Sequence, residues 1–317
     1  MKKFSLIIVL LLPFLGIAQQ DVQFSQYMFN RIYYNPGAAG SGSAICISGL
    51  HRSQWVGFEG APVTQNVNVN VPIKALHGGL GLSIVNDQIG FFNNISARLM
   101  YGYQFQLASG TLGIGAGATF LNNQVNGTAW IPADYNTAMG GQDVFIPGLN
   151  ETGFQVDAVF GIHYESQNLW GGLSTTRVIE SSTDIGSNFQ GATTFIRNAR
   201  HYYLMGGYNF AVPASNWELR PSTLVKLSTG STIFDVNVLG VYNNKFWGGV
   251  TYRLQDAVVA MIGWQATPDL RLGYSYDVAT SALSTNGGGS HEIMANYCFK
   301  IEIPPRPKGS YKNPRFL

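Results

Sequence analysis

The chain has 317 residues, a formal net charge of +2 at pH 7, and 11% charged residues against 13% aromatic ones. Soluble domains carry about 25% charged residues, so a water-facing sandwich would lack the charge to cover its surface. The near-neutral balance also excludes the clustered basic face that nucleic-acid binding requires.

The chain opens with Lys2 and Lys3, an apolar run from Phe4 to Leu15, and the small-residue site Gly16-Ile17-Ala18. This pattern predicts a secretory signal over residues 1–18, cut after Ala18. The apolar run falls short of the roughly 20 residues a spanning helix needs. No cysteine follows the site, which argues against a lipoprotein, and no later stretch reaches helix-spanning length. A mature chain that resides in a membrane must then do so as a barrel.

Residues 19–42 precede the first clear strand and crowd Tyr27, Phe29, Tyr33 and Tyr34 together. Such rings need burial. The segment is therefore expected to fold as a partial plug against the mouth of the barrel that the next strands build. The plainer reading is a short periplasmic lead-in.

Fourteen strand candidates follow, at 43–54, 63–72, 78–86, 94–107, 111–122, 153–165, 168–176, 200–211, 217–227, 231–242, 245–254, 257–266, 269–279 and 290–303. Period-2 alternation marks them. Ile95, Ala97, Leu99, Tyr101, Tyr103, Phe105 and Leu107 share one parity, while Ser96, Arg98, Gly102, Gln104 and Gln106 share the other. The sparse charges lie opposite the aromatic face. That arrangement fits lipid outside and a polar lumen inside.

The connections alternate. Those after even-numbered strands are short, as at Asn243-Asn244 and Thr267-Pro268, whereas 123–152, 177–199 and 280–289 are long. Short periplasmic turns and long outer loops are the outer-membrane pattern, which places both termini in the periplasm. The fold predicted over residues 43–303 is an all-β, up-and-down antiparallel transmembrane barrel of about fourteen strands, with strand 1 pairing strand 14.

Parity sends Arg98, Asp157, Glu218, Arg220, Lys226, Asp235, Arg253, Arg271, Asp277 and Glu292 into the lumen. Mixed signs favour a mutually paired network over a selectivity ring. At the seam, Cys46 near the start of strand 1 should face Cys298 near the end of strand 14, both pointing inward. An exported chain permits a disulfide there; the alternative is two thiols packing as small apolar residues. Aromatic residues Trp130, Tyr135 and Phe145 on the connection 123–152 are candidate outer-loop contacts. The tail 304–317 holds three prolines within 304–307 and the bases Arg306, Lys308, Lys312 and Arg315. It reads as an extended periplasmic arm that contacts a partner, or simply as a loose end.

Catalytic patterns are lacking: no GxSxG elbow, HExxH, phosphate loop or CxxC occurs, and the five histidines are scattered. The glycines of GLGLSIVNDQIG and GIGAGATF precede no helix, so they fit close strand packing rather than a nucleotide loop. No enzymatic activity and no cofactor are expected.

Longer motifs carry a resemblance. QFSQYMFN with YYNPGAAGS, then HRSQWVGFEGAP, GLGLSIVNDQIG, NKFWGGVTYR followed by QDA, LRLGYSYD and GSHEIM run from Gln23 to Met294. Together they resemble the PorP/SprF family of type IX secretion and gliding-motility outer-membrane proteins. The resemblance implies a non-enzymatic barrel in the outer membrane that supports export or surface anchoring of large cell-surface proteins. It implies a secreted adhesin as cargo for SprF-like members, and for PorP-like members the periplasmic ring components PorK and PorN and the lipoprotein PorE. It carries over no site residues. The composition by itself leaves an outer-membrane channel or hydrophobic-substrate transporter as the alternative.

Overall fold

The computed structural model describes residues 21–125, 151–187, 193–280 and 288–300. The first half of the chain supplies strands β1 (Ile45–Ser53), β2 (Val63–Ile73), β3 (Gly78–Ile89), β4 (Phe92–Leu107), β5 (Gly110–Val125), β6 (Glu151–Ser166) and β7 (Leu169–Thr176). Then come β8 (Ser182–Ser187), β9 (Thr193–Arg197), β10 (His201–Tyr208), β11 (Phe210–Ala211), β12 (Trp217–Ser228) and β13 (Ser231–Tyr242). The last four are β14 (Phe246–Arg253), β15 (Ala257–Gln265), β16 (Leu270–Ala279) and β17 (Ser290–Phe299).

Sequential antiparallel pairing runs from β1 to β7 and from β12 to β17; β1 pairs β17 and β10 joins β7 to β12. Fourteen strands thus form a closed ring. The two-residue β11 extends β10 beyond Asn209 along β12, and β8 and β9 form a separate hairpin within the connection 177–199. Closure leaves no strand edge to satisfy, which is what lipid demands of a sheet.

The pleat decides the two faces. Along β4, Leu99 is 55% exposed while its neighbour Arg98 is 7% exposed. Large apolar side chains stay outward on strand after strand, including Ile47, Val67, Leu80, Ile114, Phe160, Val250, Ile262 and Ile293. No soluble monomer presents an apolar surface of that extent; hydrocarbon is its medium. Near the short-turn ends the outward residues become aromatic, with Phe210, Trp217, Tyr242, Phe246, Trp264 and Tyr297 forming an interfacial girdle. The three-residue turn between β13 and β14 places Asn243 and Asn244 both at φ 53°, and Lys245 N–H donates back to the Tyr242 carbonyl at 2.9 Å.

At the seam, Ile45 to Ser53 pair in strict register with Phe299 to His291, so Cys46 lies opposite Cys298. The two are joined by a disulfide, with Cα atoms 4.1 Å apart.

Among the described residues, the segment before β1, from Asp21 onward, forms no strand. Short helical turns at Tyr27–Phe29, Arg31–Tyr34 and Pro36–Ala38 fold it into a compact body inside the barrel. Phe24, Ser25, Gln26, Tyr27, Tyr34 and Asn35 are completely shielded. The segment runs the length of the lumen rather than resting at its mouth. Gly40 packs on Gly79 of β3 near the short turns, whereas Asp21 meets Arg177, just beyond β7 at the long-connection end. The described chain therefore begins at one end of the barrel and leaves β17 at the other. The termini themselves lie outside the described residues; what the structure gives is a segment that threads the lumen before β1 starts.

Candidate functional site

The lumen and its plug form one polar unit, built from three clusters. The largest lies toward the long-connection end. Arg52 of β1 meets Asp277 at 2.8 Å and Glu292 at 3.3 Å; Arg253 of β14 meets Asp235 at 3.1 Å and Asp277 at 3.3 Å. All five side chains are essentially fully buried. Two guanidinium groups thus face three carboxylates, a balance that burial would penalise heavily if left so. The plug supplies the missing donors. Backbone N–H groups of Ser25 and Gln26 donate to Glu292 at 2.7 and 2.9 Å. The Ser25 hydroxyl donates to Asp277, and the Gln23 amide donates to Asp235 at 3.0 Å. Bonds of this kind to charged acceptors are among the stronger ones a protein makes.

Asp21 anchors the second cluster. Its carboxylate accepts from Arg177 at 2.9 Å and from the Tyr203 hydroxyl at 2.9 Å, its backbone N–H donates to His201, and Lys226 donates to its carbonyl. Burial alone would push this carboxyl up; Arg177, His201, Lys226 and Arg98 outweigh it and hold it well below the usual carboxylate range.

The third cluster grips the rest of the plug through amides, carbonyls and the Arg98 guanidinium. Asn30 exchanges side-chain bonds with Asn66 and Asn68 of β2. Arg98 donates to the Tyr33 carbonyl at 2.5 Å, Asn35 donates to the Ile162 carbonyl at 2.9 Å, and Gln104 donates to the Gly37 and Ala39 carbonyls. Wall glycines make that approach possible. A Cβ on Gly102 would strike the Ala39 carbonyl oxygen, one on Gly113 the Gly37 oxygen, and one on Gly115 the backbone of Pro36. Gly113 and Gly115 of GIGAG, whose glycines fit strand packing by sequence, thus also receive the plug backbone, while Gly117 meets β4.

A sequence profile described as type IX secretion system membrane protein PorP/SprF matches residues 16–297. The chain belongs to the PorP/SprF family. No curated protein matches it. Among solved structures, this PorP/SprF barrel is similar to the Ralstonia pickettii toluene transporter TbuX, at 10% identity and TM-score 0.50, over 86% of this chain and 93% of that one. It is also similar to Acinetobacter baumannii Omp33, at 10% identity and TM-score 0.43, over 83% and 100%. A Pseudomonas aeruginosa FadL homologue gives 13% identity and TM-score 0.44, over 83% and 92%. Likeness at such identities concerns the fold alone, and that fold is an outer-membrane barrel.

The PorP/SprF structure places Arg98, Asp235, Arg253 and Asp277 inside, on the plug or on one another. Arg220 and Arg271 also face inward but stand apart, at the short-turn end, where Arg220 pairs with Glu218 at 2.8 Å. Cys46 and Cys298 line the same end. Sequence reading left out Arg52, although it shares the parity of Cys46 along β1, and it left out Asp21 and Arg177, which the alternation of strands does not cover. Trp130, Tyr135 and Phe145, and Arg306, Lys308, Lys312 and Arg315, lie outside the described residues. Among the described residues no cluster of histidine, cysteine or carboxylate side chains is arranged to hold a metal. Family and fold point to a secretion component rather than to catalysis.

Proposed function

We propose that this chain is a plugged outer-membrane platform of the type IX secretion or gliding machinery that supports export or surface anchoring of large cell-surface proteins, adhesins among them. The occupied lumen carries this reading. Residues 21–44 fill the barrel and supply the donors that its buried carboxylates require, so passing a cargo through would mean breaking three polar clusters. A barrel of this kind serves by holding other components at the membrane. Periplasmic ring and lipoprotein components of the PorK, PorN and PorE type are the partners on the short-turn side, with the tail 304–317 as an arm toward them. The connection 123–152 is the segment toward cargo.

Co-purification of the tagged full chain from native membranes tests the reading: ring components and a large surface protein are expected in the eluate. Truncation after Ile303 should leave the barrel assembled and weaken the periplasmic complex. The rival is an outer-membrane channel or hydrophobic-substrate transporter, which the likeness to a toluene transporter keeps in view as an alternative. Steady conductance by the purified barrel in planar bilayers, with no component of the machinery retained on purification, would favour that rival.

A further inference from the structure

Beneath the plug, at the short-turn end of the lumen, lies a cavity of about 300 Å³. Three arginines from separate elements line it: Arg31 of the plug, Arg220 of β12 and Arg271 of β16. Two of them have carboxylate partners, Arg31 with Glu165 at 2.8 Å and Arg220 with Glu218 at 2.8 Å. Arg271 has none among the described residues. Its Nε donates to the Gln265 side-chain oxygen at 3.1 Å, and its guanidinium centre sits 5.1 Å from the Phe29 ring centroid. Its two terminal nitrogens have no partner among the described residues. Stacking on Phe29 and the bond to Gln265 fix the plane of a guanidinium fork whose open edge remains available. That geometry suits a carboxylate bound through two parallel hydrogen bonds.

The surroundings favour a peptide over a small free anion. Asn209 and Asn296 also line the cavity, whereas the Asn70 amide is already taken by Gly40 N–H and the Ser41 carbonyl of the plug. The amides of Asn209 and Asn296 can each donate and accept, as a bound backbone requires. Lys300 sits at the same end of the barrel, just past the end of β17, and adds positive potential that would steer an acidic chain toward it. We infer that this vestibule is a docking site for an acidic peptide segment of a periplasmic partner protein, with Arg271 as its carboxylate-binding anchor. The assignment goes beyond the platform reading and holds whichever cargo the barrel serves.

The test uses the full chain in lipid nanodiscs and a fluorescent hexaglutamate peptide, read by anisotropy, with hexalysine, free glutamate and inorganic phosphate as counter-probes. Heat-shifted gel migration confirms that each variant is folded. Hexaglutamate is expected to bind, Arg271→Gln to weaken it at least tenfold, and Arg271→Glu to abolish it. Free glutamate and phosphate should compete only at far higher concentrations. Folded Arg271→Gln and Arg271→Glu barrels that bind like the parent overturn the assignment, as does an absence of hexaglutamate binding or equal binding of hexalysine. Phosphate competing on a par with the peptide would mean a small-anion site and overturn the peptide reading.

Discussion

Glu292→Gln isolates the hold of the barrel on its plug. The Glu292 side chain is 0% exposed and receives three contacts: Ser25 N–H at 2.7 Å, Gln26 N–H at 2.9 Å and Arg52 at 3.3 Å. Glutamine keeps the shape but offers one acceptor oxygen and turns an NH₂ toward a former donor. One plug bond survives without its charge; the other is replaced by two donors face to face. Bonds to charged groups contribute roughly 1.5–3 kcal/mol each, so docking should weaken by about 3 kcal/mol. At 1.36 kcal/mol per tenfold, the undocked fraction rises roughly a hundredfold. Hydrogen exchange at the Ser25 and Gln26 amides reads this directly, since both bonds end on the substituted group. Single-channel recordings should show brief openings rare in the parent. Glu218→Gln is the control, because Glu218 pairs with Arg220 on its own strand. Unchanged exchange at both amides in a folded Glu292→Gln barrel would refute the claim that these charges hold the plug.

Leu99→Arg is expected to cost about 2–4 kcal/mol, the penalty for a cation on a barrel's lipid face near the midplane; refolding into vesicles across a urea series measures it. Cutting the seam by Cys46→Ser should lower the denaturation midpoint. The bridge spans 252 residues of chain, for which loop entropy sets an upper bound of about 5 kcal/mol; a non-reducing gel should show the matching mobility change. The Asp21 carboxyl titrates below its usual range, so its contribution to docking is complete above about pH 4 and fades as pH falls through the lower folded value. On the Asp21 contribution alone, plug openings should be as rare at pH 5 as at pH 8 and rise progressively below about pH 4, and Asp21→Asn should raise the opening frequency at pH 7.

Much of the architecture was legible because lipid and lumen impose a two-residue period on every spanning strand. Each of the fourteen barrel strands falls where alternation puts it, and the same parity sends Arg98, Asp235, Arg253 and Asp277 inward. Counting residues from an even closure was enough to set Cys46 against Cys298. The hairpin of β8 and β9 was missed because it lies within a long connection, where no lipid face dictates a period. The plug was legible only as rings needing burial. Its partners were not, since Asp21 meets a lysine 205 positions away and Ser25 a carboxylate 267 positions away, and no local pattern encodes such pairs. The vestibule escaped for the same reason: Arg31, Arg220 and Arg271 converge only once the ring closes.

The threading of residues 21–44 has a bearing on the order of biogenesis. This segment is synthesised first, yet the groups that hold Ser25 lie 252 and 267 residues downstream, on β16 and β17. Asn30, Asn35, Gly37 and Ala39 find partners on β2, β4 and β6, but the stretch around Ser25 cannot settle until the final strands have formed. Until then Asp235, Asp277 and Glu292 lack the plug donors that offset their burial. Contacts of such sequence separation form late and slowly. The seated segment is thus a built-in mark of completion: a chain stalled before β17 carries a free amino-terminal arm that periplasmic chaperones and proteases can reach, and a finished one has it locked away.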